Sequence, residues 1–298
     1  SYQEGFPFWN VPMIIGQADL TGDGIADVVT QSIGCSVHTN FAMYHVLSGH
    51  DGQIENIINL NSDLEAAAEP VRSLRSDNNP NAGWSTAGIA ISKASHELYD
   101  ATGDGIIDLV IMGGTFNSAG AGYNRSRTEI WAWDGTNLTL SDIEYSETDQ
   151  RVHVLFDANT AFLLGNLEIA QNLYLEVIEN DNLGDGVAIY EAVDGGYSDA
   201  QQFAAFRLAL LNLIENNLDS AREWESWLET EYLSSPLTEA TITLLASWQQ
   251  SGSLTQACTD VKNLLDSHEQ PTGSLSYTGY GNPMLNAEDV CPINGENE

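Results

Sequence analysis

The chain has 298 residues, of which 42% are hydrophobic, so its length and composition are those of a folded globular protein with room for about two domains. Its 43 acidic and 9 basic residues give a formal net charge of -34, which argues against nucleic acid and anionic membrane surfaces as partners and makes cations the natural ones. No run of about 18 apolar residues is present in the sequence, so we expect no membrane span.

The first residues, SYQEGFPFWN, contain no initiating Met, no basic segment and no apolar signal segment. This pattern is typical of a mature secreted chain whose signal peptide has been removed, although an engineered start would look the same. We therefore expect an extracellular or cell-surface location. For the acidic residues outside the two loops described next, solubility or the salinity of the source is an equally good explanation.

A segment near the start of the chain returns 81 residues later: ADLTGDGIADVV ends at Val29, and YDATGDGIIDLV ends at Val110. Each copy is followed by two strand-like segments, an Asp-Gly turn and a further alternating strand, and Asp-Gly between alternating runs is a strong hairpin signal. We predict that residues 1–150 form an antiparallel β domain of two blade-like, four-stranded units. The insertion from Asn61 to Thr86 is predicted to link them.

The two repeated loops share the pattern D-x-T-x-D-G-x-x-D, whose odd positions can turn oxygen atoms towards one centre. Calcium takes about six to eight hard oxygen ligands, and a sharp turn at the sixth position suits Gly24 and Gly105. The predicted ligands of two Ca²⁺ sites are Asp19, Thr21, Asp23 and Asp27 with the carbonyl of Ile25, and Asp100, Thr102, Asp104 and Asp108 with the carbonyl of Ile106. Ordinary Asp- and Gly-rich turns without metal are the alternative.

The loops differ from an EF-hand, because position twelve holds Thr30 and Ile111 instead of a bidentate Glu and the flanks are strand-like. They resemble the FG-GAP or VCBS family, whose blades carry calcium loops between strands, as in integrin-type β-propellers. The resemblance implies calcium, a β architecture and an extracellular setting, and it supplies no reaction. Two units are too few to close a propeller, so we expect a partial arrangement sealed by the helices or by another copy of the chain.

Two details refine this resemblance. Thr at the third position leaves each site only three carboxylates, which predicts weaker binding than a site with Asp or Asn there. A third segment, Asp181 to Gly186, imitates the loops but has Leu183 at its third position and Ile189 at its ninth. Since these side chains lack ligand oxygens, the segment is predicted to be a turn.

From about residue 151 to residue 268, apolar residues recur at helical spacing. Three series each contain a Gly or Asn that can make a turn, followed by an alanine (Ala170, Ala221 or Ala257) that lets two helices approach closely. The series resemble the tetratricopeptide repeat and predict a domain of helical hairpins at residues 151–270, with an insertion between Asn182 and Ser198. A generic helical bundle is the alternative.

The chain has three cysteines, an odd number. Cys258 lies in a helical segment and Cys291 in the tail, so we favour one disulfide between them that pins residues 271–298 back, with Cys35 free. Three buried reduced thiols are the alternative. Asn124 and Asn137 begin two possible glycosylation sequons.

No catalytic pattern is found in the sequence: there is no metal-binding His pair, nucleophile elbow or phosphate-binding loop. The first hypothesis is therefore a secreted, calcium-stabilised, non-enzymatic protein that acts as a structural or protein-interaction element. A second is a repeating subunit of an extracellular filament or surface assembly. A third is a calcium-dependent carbohydrate-binding or carbohydrate-active protein.

Overall fold

A computed structural model describes residues 8–9, 11–35, 40–50, 53–60, 89–116, 119–185, 196–279 and 281–293. The chain is a mixed α+β protein with two antiparallel sheets and a set of helices. It divides into two compact units, Ser1–Glu147 and Thr148–Glu298, close to the change of sequence pattern near residue 151. Within the described ranges, no helix is long and apolar enough to cross a membrane.

The first sheet of the β unit has six strands. They are β1 (Phe8–Trp9), β2 (Met13–Ala18), β3 (Asp27–Cys35), β4 (Asn40–His50), β5 (Gln53–Asn56) and β6 (Ile89–Ser92). β1 and β2 pair in turn with one edge of β3, while β5 and β6 pair with the far edge of β4. The sequence predicts four strands here. Six are found because β4, with 11 residues, pairs with two short strands along one edge, and β3, with 9 residues, does the same along its opposite edge.

The second sheet is a simple meander of four strands, each paired with the next. They are β7 (Ser95–Tyr99), β8 (Asp108–Gly113), β9 (Arg127–Trp133) and β10 (Leu138–Tyr145). The turn between β9 and β10 is held by Asp134, whose Oδ1 accepts hydrogen bonds from the backbone N–H groups of Thr136 and Asn137, both at 2.8 Å. The other predicted Asp-Gly turn, at residues 51–52, and the predicted linker Asn61–Thr86 lie outside the described residues.

The two sheets of the β unit share one hydrophobic core. Strands β3, β4 and β6 contribute Val29, Tyr44, Val46, Ile89 and Ile91, and strands β8 to β10 contribute Leu109, Ile111, Trp131 and Leu140. Each fully buried side chain of this size stabilises the fold by about 1.5 to 3 kcal/mol relative to an exposed one. The β unit therefore has a core of its own, drawn from both sheets.

A charged pair is buried in the second sheet. Glu129 has no exposed surface, and it accepts hydrogen bonds from Arg127 Nε at 2.8 Å and from Trp131 Nε1 at 2.9 Å. Its charge adds to the effect of burial, which raises the pKa of Tyr44 to about 12. Burial of a charged group is costly unless it is paired, and Glu129 is paired here with the equally buried Arg127.

The second unit is built mainly from six helices. They are α1 (Arg151–Leu163), α2 (Leu167–Glu179), α3 (Gly196–Ile214), α4 (Leu218–Glu231), α5 (Pro236–Ser251) and α6 (Leu254–Leu265). Consecutive pairs form three hairpins, and each hairpin turn contains one residue with a left-handed backbone: Gly165 (φ 77°), Asn216 (φ 57°) and Gly252 (φ 68°). Such a residue ends the first helix of the pair. The next helix begins directly afterwards, capped in two cases by the side chains of Asn217 and Ser253.

The three predicted alanines, Ala170, Ala221 and Ala257, have no exposed surface and lie in the second helix of each hairpin. A methyl side chain at these points allows the close approach of helix backbones that the core needs. The core also contains Arg207, which is 2% exposed, donates from Nη2 to the carbonyl of Asp289 at 2.7 Å and lies 4.5 Å from the ring centre of Phe162.

The C-terminal segment after α6 packs back on the helical unit. It contains a short 3₁₀ helix (Gly273–Ser276) and α7 (Ala287–Val290). Asp199 at the start of α3 accepts hydrogen bonds from Ser274 N at 2.8 Å and from its hydroxyl at 2.6 Å. Cys291 forms a disulfide with Cys258 of α6. The segment is thus attached to both α3 and α6. The side chain of Cys35 lies outside the described residues.

Candidate metal centre

Each Asp-rich loop connects two neighbouring antiparallel strands, the first loop β2 with β3 and the second β7 with β8. The ninth position of each loop, Asp27 or Asp108, is also the first residue of the strand that follows. Because that strand lies between two partners in its sheet, the last predicted ligand is fixed by strand pairing, whereas the earlier ones lie on the turn itself.

The first carboxylate of each loop is surrounded by backbone N–H groups. Asp19 accepts from Gly22 N at 2.7 Å, Asp23 N at 3.2 Å and Gly24 N at 2.8 Å. Asp100 accepts in the same way from Gly103 N at 2.6 Å and Gly105 N at 3.0 Å. The backbone therefore turns around this carboxylate in both copies. Positive φ angles between 74° and 91° at all four of these glycines make the turn possible.

The middle carboxylate of each loop holds the next turn. Asp23 Oδ1 accepts from Ile25 N at 2.7 Å, and Asp104 Oδ1 accepts from Ile106 N at 2.8 Å. Both Asp side chains belong to exposed residues. Each of these hydrogen bonds is accepted by Oδ1, so Oδ2 of each carboxylate could act as a ligand of a cation.

The last carboxylate is buried in both loops, with Asp27 1% exposed and Asp108 fully buried. Asp27 Oδ2 accepts from Leu20 N at 2.8 Å. Asp108 Oδ2 accepts from Ala101 N, Thr102 N and Thr102 Oγ1 at 2.8 to 3.1 Å, but its Oδ1 is buried without a hydrogen-bond partner in the described part of the chain. A carboxylate oxygen buried in this way is costly unless a cation or a donor satisfies it.

The two loops differ at the threonine. Thr102 Oγ1 donates to Asp108, whereas the equivalent Thr21 Oγ1 is buried with no partner among the residues that the structure describes. Each loop thus contains one buried oxygen for which the described part of the chain supplies no hydrogen-bond partner: a carboxylate oxygen in the second loop and a hydroxyl oxygen in the first. Both are hard oxygens of the kind that calcium takes.

The predicted ligands are not drawn together into a closed shell. Among the described residues, no group of three or more His, Cys, Asp or Glu side chains is placed so that it could hold a metal ion. The side chains offer hard oxygens of the kind that calcium takes, and two of these oxygens, Asp108 Oδ1 and Thr21 Oγ1, are buried with no hydrogen-bond partner among the described residues.

In the third Asp-rich segment, a carboxylate is paired with an arginine side chain of the same chain. Asp185 Oδ1 accepts from Arg151 Nε at 2.9 Å, and Arg151 also donates to the carbonyls of Val177 and Asn180 at the end of α2. A guanidinium therefore occupies the acidic end of this turn. Residues 181–182 form a turn, and Ile189 lies outside the described residues.

The two predicted sequons are in different environments. Asn124 is partly buried, accepts from Phe116 N at 2.8 Å, and donates to the carbonyls of Phe116 and Gly122. Asn137 lies in the β9–β10 turn. Both asparagines are partly buried, and attachment of a sugar to Asn124 would break the hydrogen bonds of its amide.

One feature of the site is missing from the sequence prediction. The side chain of Ile106 in the second loop lies against Gly22 of the first, since a Cβ placed on Gly22 would be 3.0 Å from Ile106 Cδ1. The repeat predicts that the two loops are equivalent, but it does not predict how far apart they lie. The contact between Ile106 and Gly22 could therefore not be predicted from the sequence.

Comparison with known proteins found no matching family model, no matching curated protein and no matching solved structure.

Proposed function

We propose that this chain is a calcium-stabilised, non-enzymatic protein that acts outside the cell as a structural or protein-interaction element. The observation that supports this most is Asp108 Oδ1, which is buried with no hydrogen-bond partner among the described residues, in a loop that has an equivalent copy at Asp19–Asp27. A calcium ion in each loop would satisfy the buried oxygens and offset the repulsion among three carboxylates per loop.

The proposed ligands are those that the sequence indicates. In the first loop they are Asp19, Thr21, Asp23, the carbonyl of Ile25 and Asp27; in the second they are Asp100, Thr102, Asp104, the carbonyl of Ile106 and Asp108. On this proposal the two strand series are FG-GAP-like blades and the three hairpins are tetratricopeptide-like repeats. The extracellular setting is supported by the Cys258–Cys291 disulfide, since disulfides persist mainly in oxidising compartments.

Calorimetry of the whole chain tests the proposal. In calcium at about one hundred times the dissociation constant, each site adds about 2.7 kcal/mol to the free energy of unfolding, so the melting temperature should fall when EGTA is added. Asp108→Asn removes one ligand charge from the second loop and should lose that loop's share of the calcium-dependent increment, about half of the total.

The matched control is Asp134→Asn, which changes an exposed turn aspartate of the same unit with the same kind of backbone hydrogen bonds. Its response to calcium should equal that of the wild type. If the wild type melts at the same temperature in calcium and in EGTA, the proposal is wrong.

The second candidate, a subunit of an extracellular assembly, is favoured by strand β2. Among the described strands, β2 pairs with β3 alone, and apolar side chains at and just before it are exposed: Val11 (81%), Met13 (49%) and Ile14 (65%). A second copy of the chain could pair with this edge and bury these residues.

Light scattering against protein concentration tests the second candidate. Wild-type protein should form larger species as its concentration rises, and Ile14→Lys should remain monomeric because a charge on the edge opposes strand pairing. Ile169→Lys changes a side chain of similar exposure (55%) on α2 and should assemble like the wild type. A wild-type chain that stays monomeric at every concentration would eliminate this candidate.

A further inference from the structure

The two Asp loops touch each other through one side chain. A Cβ built on Gly22 of the first loop would lie 3.0 Å from Cδ1 and 3.2 Å from Cγ1 of Ile106 in the second loop. Gly22 stands between two proposed ligands, Thr21 and Asp23, and Ile106 stands between Asp104 and Asp108. The contact therefore joins the ligand-bearing backbone of one loop to that of the other.

The contact is one-sided, although the loops are copies of one pattern. Gly103 is the equivalent of Gly22, and a Cβ built there meets nothing within 4 Å. Ile25 is the equivalent of Ile106, and it is 59% exposed. The chain thus contains an internal control at both positions of the contact.

We propose that the two loops form one coupled two-cation unit, in which Ile106 transmits closure of the second loop around calcium to the first loop. This inference rests on the proposed function. Ile106 N is bonded to Asp104 Oδ1 at 2.8 Å and its carbonyl is a proposed ligand, so closure of the second loop moves or fixes the Ile106 backbone. Its side chain then fixes Gly22, whose N–H is bonded to Asp19 Oδ1 at 2.7 Å.

The coupling is positive in sign, because ordering of one loop reduces the conformational freedom that the other must lose when it binds. Charge alone gives the opposite sign, since calcium in one loop weakens the negative potential at the other. Salt screens this electrostatic effect, so titrations at about 0.15 M ionic strength reduce it relative to titrations at low salt.

The test is a double-mutant cycle in calcium affinity. It is measured by isothermal titration calorimetry of the full chain with CaCl₂ alone, at about 0.15 M NaCl. Asp104→Asn weakens the second loop while it keeps the oxygen that accepts from Ile106 N. If the loops are coupled, this substitution should also weaken calcium binding by the first loop by about fivefold or more. In an Ile106→Ala background the same substitution should leave the first loop unchanged.

Two matched controls separate the contact from general effects. Ile25→Ala removes the equivalent, exposed side chain and should leave the coupling as in the wild type. If Ile106→Ala fails to fold, the glycine pair replaces it: Gly22→Ala and Gly103→Ala both place Cβ at a positive φ, 74° and 79°, but only the first meets Ile106. Gly22→Ala should therefore change the effect of Asp104→Asn on the first loop, whereas Gly103→Ala, which leaves the contact intact, should keep that effect as in the wild type.

The outcomes distinguish this inference from the proposed function. The coupling would be overturned if the wild type binds two calcium ions independently, or if Asp104→Asn leaves the calcium affinity of the first loop unchanged. Either result would leave the calcium sites in place. A wild-type chain that binds no calcium would overturn both.

Discussion

Tyr174 is a fully buried side chain of the helical unit whose hydroxyl donates to Asn159 Oδ1 at 2.7 Å. Burial raises its pKa to about 12 from the ordinary value of 10.0, and the charge of Arg207 acts in the opposite direction. The folded chain therefore keeps a proton that the unfolded chain releases between these two values. The stability from this group is complete below pH 10 and is lost as pH rises towards 12.

The free energy of unfolding of the wild type should fall between pH 10 and 12, and Tyr174→Phe should show a shallower fall because it has no proton to lose. Urea unfolding monitored by circular dichroism at several pH values measures both. Tyr277→Phe removes a hydroxyl from a side chain that is 63% exposed and serves as the control, with the slope of the wild type. Equal slopes for Tyr174→Phe and wild type would show that Tyr174 does not titrate in this way.

At the level of elements, the C-terminal segment is attached to the helices by a cross-link and by hydrogen bonds. Cys258 and Cys291 are 33 residues apart, and Ser274 is bonded to Asp199 of α3. A cross-link over this separation restricts the unfolded chain, and the chain-entropy relation gives about 3 to 4 kcal/mol for it. The disulfide is thus a large share of the stability of a domain of ordinary size.

Cys291→Ser should lower the free energy of unfolding of the helical unit by about 3 to 4 kcal/mol, measured by urea denaturation of the whole chain. Reductant should destabilise the wild type by a similar amount and leave Cys291→Ser unchanged. A loss of less than about 1 kcal/mol in the variant would mean that hydrogen bonds and packing hold the segment without the cross-link.

At the scale of the whole molecule, the two units have separate sources of stability. The core of the β unit is drawn from its own two sheets, and that of the helical unit from α1 to α7 and the C-terminal segment. The proposed calcium loops belong to the first unit and the disulfide to the second. In the calorimetry proposed above, EGTA should therefore lower one unfolding transition and reductant the other. A single transition that moves with both reagents would mean that the units unfold together.

Much of the local structure could be predicted because its signals are local. The repeated Asp loops between strands and the Asp134 turn follow from residues that are close in sequence, and so do the three hairpins with Gly165, Asn216 and Gly252 at their turns. The sequence favours a disulfide between Cys258 and Cys291 over three reduced thiols, and the structure contains that disulfide. Calcium binding and the FG-GAP and tetratricopeptide resemblances stay predictions.

The sequence by itself determined the mixed α+β class and the change from strands to helices near residue 151, since periodicity and turn residues are properties of neighbouring residues. Its carboxylate spacing predicts the chemistry of the two loops in the same way. Only the tertiary structure decided that β6 returns to β4, that Arg127 and Glu129 form a buried pair, and that Ile106 reaches Gly22. These contacts depend on how segments distant in the chain pack, and packing makes two identical loop patterns unequal.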